Sequence, residues 1–152
     1  MSSFFNNYFF IILALVAGMM MPTQAAINSK LAGYAGSPIT AAFLSFAVGT
    51  LALFVYMLLT GVPLNSIGLA TGAPLVAWIG GFLGAFFVSV MTTVVPRLGG
   101  ALTFSLAIGG QMLATLLIDH FGVLGIPEKP INLYRVLGAA LITVGVILIR
   151  QF

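Results

Sequence analysis

Charged side chains are scarce in this sequence. They make up 5% of its 152 residues, as five lysines and arginines against two acids, whereas a soluble domain carries about 25%. No charge interrupts the stretch from Leu31 to Pro96. This scarcity excludes a water-facing globular fold, and the 61% hydrophobic content predicts a polytopic membrane protein.

Cysteine is absent, and histidine occurs once, at His120. Disulfides, thiolate metal sites and cysteine nucleophiles are therefore excluded, and one histidine cannot form a zinc site alone. The two acids, Asp119 and Glu128, form no paired-carboxylate constellation, and no serine stands in an elbow motif. The cations are scattered, whereas a nucleic-acid-binding surface clusters them. We therefore expect no enzyme, no cofactor, no metal and no nucleic-acid partner.

Five apolar segments reach the length of about 20 residues that a helix needs to cross the hydrocarbon core. We interpret the first as a retained span, because residues 1–7 lack the positive charge of a secretory signal. The fold class is thus all-α, a single five-helix transmembrane domain over residues 1–152 in a lipid bilayer. The predicted spans are about 4–26, 39–59, 73–95, 98–118 and 131–149.

The stretch Met19–Leu31 at the end of the first span is the most informative part of the chain. Pro22 removes a backbone donor and predicts a break or kink, with continuation as far as residue 31 still open. Gln24 and Asn28 lie four residues apart and so share one helical face. At membrane depth, freed carbonyls and amides need protein partners or a water-lined cavity. The stretch predicts a cavity wall with two substrate-binding amides; the alternative is that the amides bond to a neighbouring helix.

Three further side chains are candidates for binding a substrate. Trp78 lies about one turn into the third span. It is either an interfacial anchor or an indole that stacks on a ligand. Gln111 and Thr115 share one face of the fourth span. Amides and hydroxyls suit a neutral or zwitterionic solute, and Trp78 with phenylalanines suits a flat organic cation.

A charged group close to the membrane rim is the candidate for coupling transport to an ion. Asp119 follows Thr115 on the same face, and His120 lies next to it. In the alternative, Asp119 ends the fourth span and pairs with Arg135 or Lys129. We favour the ion pair, because pairs at the interface need no functional reason.

Small residues recur at helical spacing in three spans and predict close approach of other helices. Between the first two spans, Ser37 and Pro38 predict an N-cap and a first helical position. The candidate packing positions are Ser45, Gly49, Gly80, Gly81, Gly84, Gly138 and Gly145.

The cations give almost no orientation signal. Five spans would put Lys30, Arg97 and Arg150 on one side of the membrane and Lys129 and Arg135 on the other. Orientation follows an imbalance of lysine and arginine in short loops, and three against two is nearly none. Insertion in either orientation is therefore expected, and two opposite copies would form an inverted repeat, as in many secondary transporters. An antiparallel homodimer is the favoured hypothesis.

Several motifs occur in order over nearly the whole chain. The run G-x-x-x-P-x-Q-x-x-x-N-S-x-L begins at Gly18, and AAFLSFAVGTL, WIGGFLGAFFVSV, GGQ and IDHFG follow it. Together they resemble the YdcZ-type, five-helix members of the drug/metabolite transporter (DMT) superfamily. The resemblance implies a multi-pass protein of the bacterial inner membrane. It also implies half of a ten-helix inverted-repeat bundle, acting as a dimer or with a paired paralogue.

By that resemblance, Pro22, Gln24, Asn28, Gln111 and Asp119 match the family's signature positions. The chain departs from the four-helix small multidrug-resistance relatives in lacking a glutamate within the first span. Proton/drug antiport by their mechanism is therefore not expected. The function that follows is a small secondary transporter that moves a small organic solute across the inner membrane. The alternative is a non-transporting helper or sensor subunit that acts with a partner.

Overall fold

The computed structural model describes residues 2–151, with side chains from residue 7 onward. In this part of the chain every regular element is helical, which confirms the all-α class. Short 3₁₀ turns occur at Ala70–Gly72 and Val123–Gly125. The helices are α1 (Ser2–Ala35), α2 (Pro38–Leu59), α3 (Asn65–Leu69), α4 (Leu75–Leu98), α5 (Gly100–Phe121) and α6 (Leu133–Gln151).

Among the described residues, five helices are long and apolar enough to cross a membrane, namely all except α3. Their most apolar windows have mean hydropathies of 1.8 to 2.2, and almost none of the residues in those windows are buried within the chain. Large side chains such as Leu59 and Leu75 are more than 80% exposed. Lipid tails solvate such side chains, whereas a soluble monomer rarely exposes a large contiguous apolar surface. The prediction of a polytopic five-helix membrane protein is confirmed.

Helix α1 does not end at Pro22, although the sequence predicts a break there and a span of about 4–26. It continues to Ala35, so its 34 residues are about 51 Å long at the helical rise. The Thr23 hydroxyl donates to the Met19 carbonyl at 3.0 Å, next to the turn where proline removes a donor. Lipid offers no partner for open backbone, so a proline-containing span keeps its helix.

The turn between α1 and α2 has the predicted chemistry. The Ser37 side chain accepts a hydrogen bond from the Thr40 backbone N–H, and Pro38 is the first helical residue. The preceding Gly36 has a φ of +71°, a left-handed conformation that favours glycine. The N-cap prediction is therefore confirmed.

The third predicted span, 73–95, is shifted by a few residues. Helix α4 begins at Leu75, after Pro74, and it continues through Pro96 to Leu98. The connecting segment before it is mostly helical, as α3 and the 3₁₀ turn that follows. A proline in the last turn of a helix removes one hydrogen bond, and here it does not end the helix.

The chain forms two compact units, one up to Arg97 and one from Leu98. In the first unit α1 packs along α2, and in the second unit α5 packs along α6. The prediction of a single domain over residues 1–152 stays a prediction.

Candidate functional site

A cavity of about 450 Å³ lies on the α1 and α2 side chains of the first unit. Both amides that the sequence singles out, Gln24 and Asn28, lie on its wall. The volume falls within the range of about 300–1,000 Å³ that is typical of small-molecule sites. The lining residues are Met20, Met21, Thr23, Gln24, Ile27, Asn28 and Ser45.

The cavity lies at membrane depth. Asn28 precedes Gly36 by eight residues and Ser45 follows Ser37 by eight, so both lie about 12 Å from the turn at the helical rise. Gln24 lies one helical turn further from the connection between α1 and α2. The 22 residues of α2 extend about 33 Å, close to the thickness of the hydrocarbon core. The cavity wall predicted for the end of the first span therefore lies within the transmembrane part of the chain.

The two amides differ in their surroundings. Asn28 is only 2% exposed, and its Nδ2 atom has no hydrogen-bond partner in the described chain. Gln24 is exposed. A buried donor without a partner costs about 1–3 kcal/mol. The Asn28 N–H is thus unpaired and enclosed within the chain, whereas Gln24 lies where lipid, solute or a second polypeptide would meet it.

A second, much smaller cavity lies behind the same amides. It has a volume of about 10 Å³, which is roughly the room that one water needs. Apart from the two amides, its wall is made of apolar side chains. Its lining residues are Met21, Gln24, Ala25, Asn28, Phe87, Val88 and Met91.

Ser29 of α1 forms a hydrogen bond to the backbone carbonyl of Thr92 on α4, which has no helical donor because of Pro96. Pro96 has no N–H, so the carbonyl of Thr92 lacks its helical donor. The Ser29 hydroxyl lies 2.8 Å from the Ala25 carbonyl oxygen and 3.2 Å from that of Thr92, and its one hydrogen is shared between the two acceptors. This contact joins α4 to the α1 turn that carries Asn28, and no role for Ser29 is predicted from the sequence. The four-residue spacing of Thr92 and Pro96 is the signal that points to it.

Several serine and threonine hydroxyls in the spans already donate to a carbonyl of their own helix. Each donates to the carbonyl four residues earlier, which is the usual arrangement of serine and threonine in apolar helices. Their hydrogens are therefore not free for a solute. These hydroxyls are those of Thr23, Ser89, Thr92, Thr93, Thr103 and Thr143.

The remaining predicted binding residues lie elsewhere in the fold. Trp78 is 57% exposed, one turn into α4, and its role as anchor or stacking group stays a prediction. Gln111 is exposed on α5. One turn further along, Thr115 lines a cavity of about 230 Å³ between α5 and α6 of the second unit. The other residues on this wall are Met112, Leu116, Arg135, Gly138, Ala139 and Ile142.

Asp119 and Arg135 form an ion pair between the end of α5 and the start of α6. Arg135 Nη2 donates to Asp119 Oδ2, and Nη1 donates to the Lys129 carbonyl at 2.8 Å. The side chains are 16% and 27% exposed for Asp119 and Arg135 respectively. Of the two partners considered for Asp119, the side chain of Arg135 makes the bridge, and Lys129 contributes backbone atoms.

The loop that joins α5 to α6 folds back on this pair. The Lys129 N–H donates to the Asp119 carbonyl at 2.7 Å, and the Ile131 N–H donates to His120 Nδ1 at 3.2 Å. Gly122 ends α5 with a φ of +57°, and a Cβ at this position would lie 3.2 Å from the Glu128 Cβ. His120 thus accepts a loop hydrogen bond, which is a structural contact beside the ion pair.

The small residues predicted to pack helices are mostly uncovered within the described chain. A Cβ placed on Gly49, Gly80, Gly81, Gly138 or Gly145 would meet no other atom within 4 Å. At Gly84 the Phe46 ring is 3.6 Å from that position, and Ser45 lines the larger cavity. Within the unit to which each glycine belongs, the described helices do not make the predicted close approach, and it stays a prediction for a second polypeptide.

The described residues contain no group of three or more metal-ligating side chains close enough together to hold an ion. The larger cavity has no charged side chain on its wall. Its chemistry is limited to hydrogen bonding by amides and a hydroxyl and to apolar contact with methionine and isoleucine. Such a wall can hold an organic solute, and it offers no nucleophile or base.

Comparison with known protein families agrees with this geometry. A family model described as "Putative inner membrane exporter, YdcZ" matches residues 9–148, which includes all five spans in whole or in large part. The comparisons with curated proteins and with solved structures gave no match. That description points to a transporter and not to an enzyme. The chain therefore belongs to the YdcZ family, and it is a multi-pass protein of the inner membrane with a transporter-like role.

Proposed function

We propose that this protein is a secondary transporter that moves a small organic solute across the inner membrane through the cavity at Gln24 and Asn28. The single observation that carries the proposal is the pair of amide residues, Gln24 and Asn28, on the wall of a cavity of about 450 Å³. A structural amide in lipid would use its hydrogen bonds within the chain. The Gln24 amide is exposed and therefore open to a solute.

The helper-subunit alternative predicts different hydrogen bonding for the same residues. It requires the amides to be consumed by bonds within the chain, and the Asn28 donor is not. The uncovered glycines fit a foreign partner and a second copy of the chain equally. The unpaired Asn28 donor therefore does not meet the requirement of the helper alternative, and the exposed Gln24 on the cavity wall supports the carrier.

The direct test is binding and transport by the purified chain in vesicles. We expect a thermal-shift screen of metabolites and drug-like compounds to give at least one stabilising solute. Protein-containing vesicles should exchange that solute by counterflow. Gln24→Ala should raise the Kd of the solute about tenfold, the loss of about 1.4 kcal/mol that one hydrogen bond represents. At a fixed solute concentration, both the thermal shift and the counterflow should therefore decrease.

Asn65→Ala provides the matched control, since it removes an exposed amide from the α2–α4 connection. It should leave both readouts unchanged. The carrier proposal fails if the screen and the vesicles give no response. It also fails if Gln24→Ala binds and transports like the parent.

The same proposal includes an antiparallel homodimer. Three supporting observations are the near balance of cations between the two sides, the exposed Gln24 at membrane depth and the uncovered glycines. An amide facing lipid is unfavourable, and a second copy with its own α1 would cover it. A paired paralogue in the opposite orientation would serve the same purpose.

Topology labelling tests this assembly. The chain has no cysteine, so Thr71→Cys places one thiol in the exposed α2–α4 connection. We expect a membrane-impermeant thiol reagent to label about half of the molecules in intact cells and the rest after lysis, because nearly balanced charges set no orientation. Labelling entirely from one side would contradict an antiparallel homodimer and leave only the paired paralogue.

A further inference from the structure

The cavity between α5 and α6 runs from the rim of the membrane into its interior. Arg135 on its wall lies two residues after the start of α6, about 3 Å along the helix, whereas Ile142 lies about 13 Å along it. On α5, Met112 also lies about 13 Å from the end of the helix at Phe121. The cavity therefore has a charged end at the rim and an apolar end near the middle of the hydrocarbon core. This is the polarity profile of an amphiphile.

The ion pair at the rim end keeps hydrogen-bonding capacity on both partners. The Arg135 guanidinium has five N–H donors, and two of them are used, toward Asp119 Oδ2 and the Lys129 carbonyl. Asp119 Oδ1 accepts no hydrogen bond from the described chain. In that part of the chain the one enclosed side-chain atom without a partner is Asn28 Nδ2, so Asp119 Oδ1 retains exposed surface. The pair thus offers N–H donors to an anionic group and a carboxylate oxygen to a cationic one.

Thr115 adds a further polar group to the wall of this cavity. Its hydroxyl forms no hydrogen bond within the described chain, whereas Thr103 and Thr143 donate to carbonyls of their own helices. Thr115 lies about 9 Å from the end of α5, between the charged end and the apolar end. A hydroxyl at this depth can donate to an ester oxygen just below a lipid headgroup.

We propose that the α5–α6 cavity binds one phospholipid whose zwitterionic headgroup has a primary ammonium, as in phosphatidylethanolamine. The phosphate accepts from the unused Arg135 N–H groups, the ammonium donates to Asp119 Oδ1, and an acyl chain lies against the apolar end at Ile142. A choline headgroup has no N–H to donate, and a glycerol headgroup brings no cation to the carboxylate. The inference goes beyond the proposed function, because this cavity lies in the second unit and the solute site in the first.

Lipid binding to the purified, delipidated chain in detergent micelles tests the proposal, with native mass spectrometry as the measurement. The probes are phosphatidylethanolamine, phosphatidylcholine and phosphatidylglycerol with identical acyl chains. We expect the Kd of the first phosphatidylethanolamine to be at least about tenfold lower than that of either other lipid, because it alone completes the hydrogen bonds of both charged side chains.

Two leucine variants on the same helix locate the bound lipid. Gly138 lies on the wall of the cavity and Gly145 does not, and a Cβ at either position would meet no other atom within 4 Å. Gly138→Leu should remove the preference for phosphatidylethanolamine, because leucine fills the cavity, and Gly145→Leu should keep it. Thr115→Leu fills the cavity from α5 and replaces Gly138→Leu if that variant does not fold.

The outcomes decide the proposal separately from the carrier function. A Kd for phosphatidylethanolamine no lower than those of the other lipids overturns the lipid site, and so does a preference that survives Gly138→Leu. Loss of solute counterflow in Gly138→Leu with unchanged lipid binding also overturns it, because the cavity would then belong to the solute path. A preference that Gly138→Leu removes and Gly145→Leu keeps supports it. The carrier function depends on the parent chain and Gln24→Ala, and none of these lipid Kd values changes that result.

Discussion

Replacing Arg135 with glutamine is expected to lower the free energy of unfolding by about 2 kcal/mol. The substitution leaves the Asp119 carboxylate, 16% exposed, without its charged partner, and it removes the bond from Nη1 to the Lys129 carbonyl. Breaking a fully buried pair costs about 3–5 kcal/mol, and the partial exposure of both groups reduces this value through solvent screening. The measurement is unfolding in mixed micelles followed by circular dichroism.

A double-mutant cycle identifies the ion pair as the cause. Asp119→Asn alone should cost about as much as Arg135→Gln, and the double variant should cost clearly less than the sum, because neither charge is then left unpaired. Additive losses would mean that the two side chains act independently. If both single variants keep their stability but lose transport, Asp119 is a coupling group instead of a structural one.

Replacing Asn28 with leucine is expected to change stability and function in opposite directions. Leucine has a similar branched shape and no donor to leave unpaired. We therefore expect the solute-free protein to gain about 1–3 kcal/mol. Stabilisation by the solute and counterflow should both decrease, because the cavity wall loses one of its two amides. The first quantity is measured by unfolding and the second in vesicles.

Thr92→Val is the matched control for burial. Thr92 is 1% exposed, and its hydroxyl donates to the Val88 carbonyl at 2.8 Å. Removing a satisfied bond should cost about 1 kcal/mol, opposite in sign to the Asn28 change. A loss of stability in Asn28→Leu as large as in Thr92→Val would show that the amide is a structural contact, as in the helix-bonding alternative.

The helix bounds show how far sequence patterns reach. The apolar runs predict each span to within a few residues at most ends, but proline ends a helix in this chain less often than its chemistry predicts. Helix α1 continues 13 residues beyond Pro22, and α4 continues to Leu98 past Pro96. In water a freed carbonyl is solvated, and the helix readily ends. In lipid the carbonyl must be satisfied by protein, and Ser29 does this for Thr92.

The candidate site was partly predictable for a similar reason. Four-residue spacing places Gln24 and Asn28 on one face regardless of the rest of the fold, and the cavity lies on that face. Spacing also groups Gln111 with Thr115 and Asp119 on α5. It says nothing about which of these side chains remains exposed, lines a cavity or pairs with a charge.

The sequence by itself determined that this protein lies in a membrane and how many spans it has. Hydropathy is the sum of contributions from neighbouring residues, and a backbone in lipid must satisfy its own hydrogen bonds, which leaves few structures to choose from. Only the tertiary structure decided which polar atoms find partners. Asp119 could have paired with either of two cations, and Asn28 with any acceptor on a nearby helix. Those outcomes depend on distances between residues far apart in the chain, and packing, not composition, sets such distances. The orphaned amide of Asn28 and the bridge from Asp119 to Arg135 are the two results of that packing on which the functional argument depends.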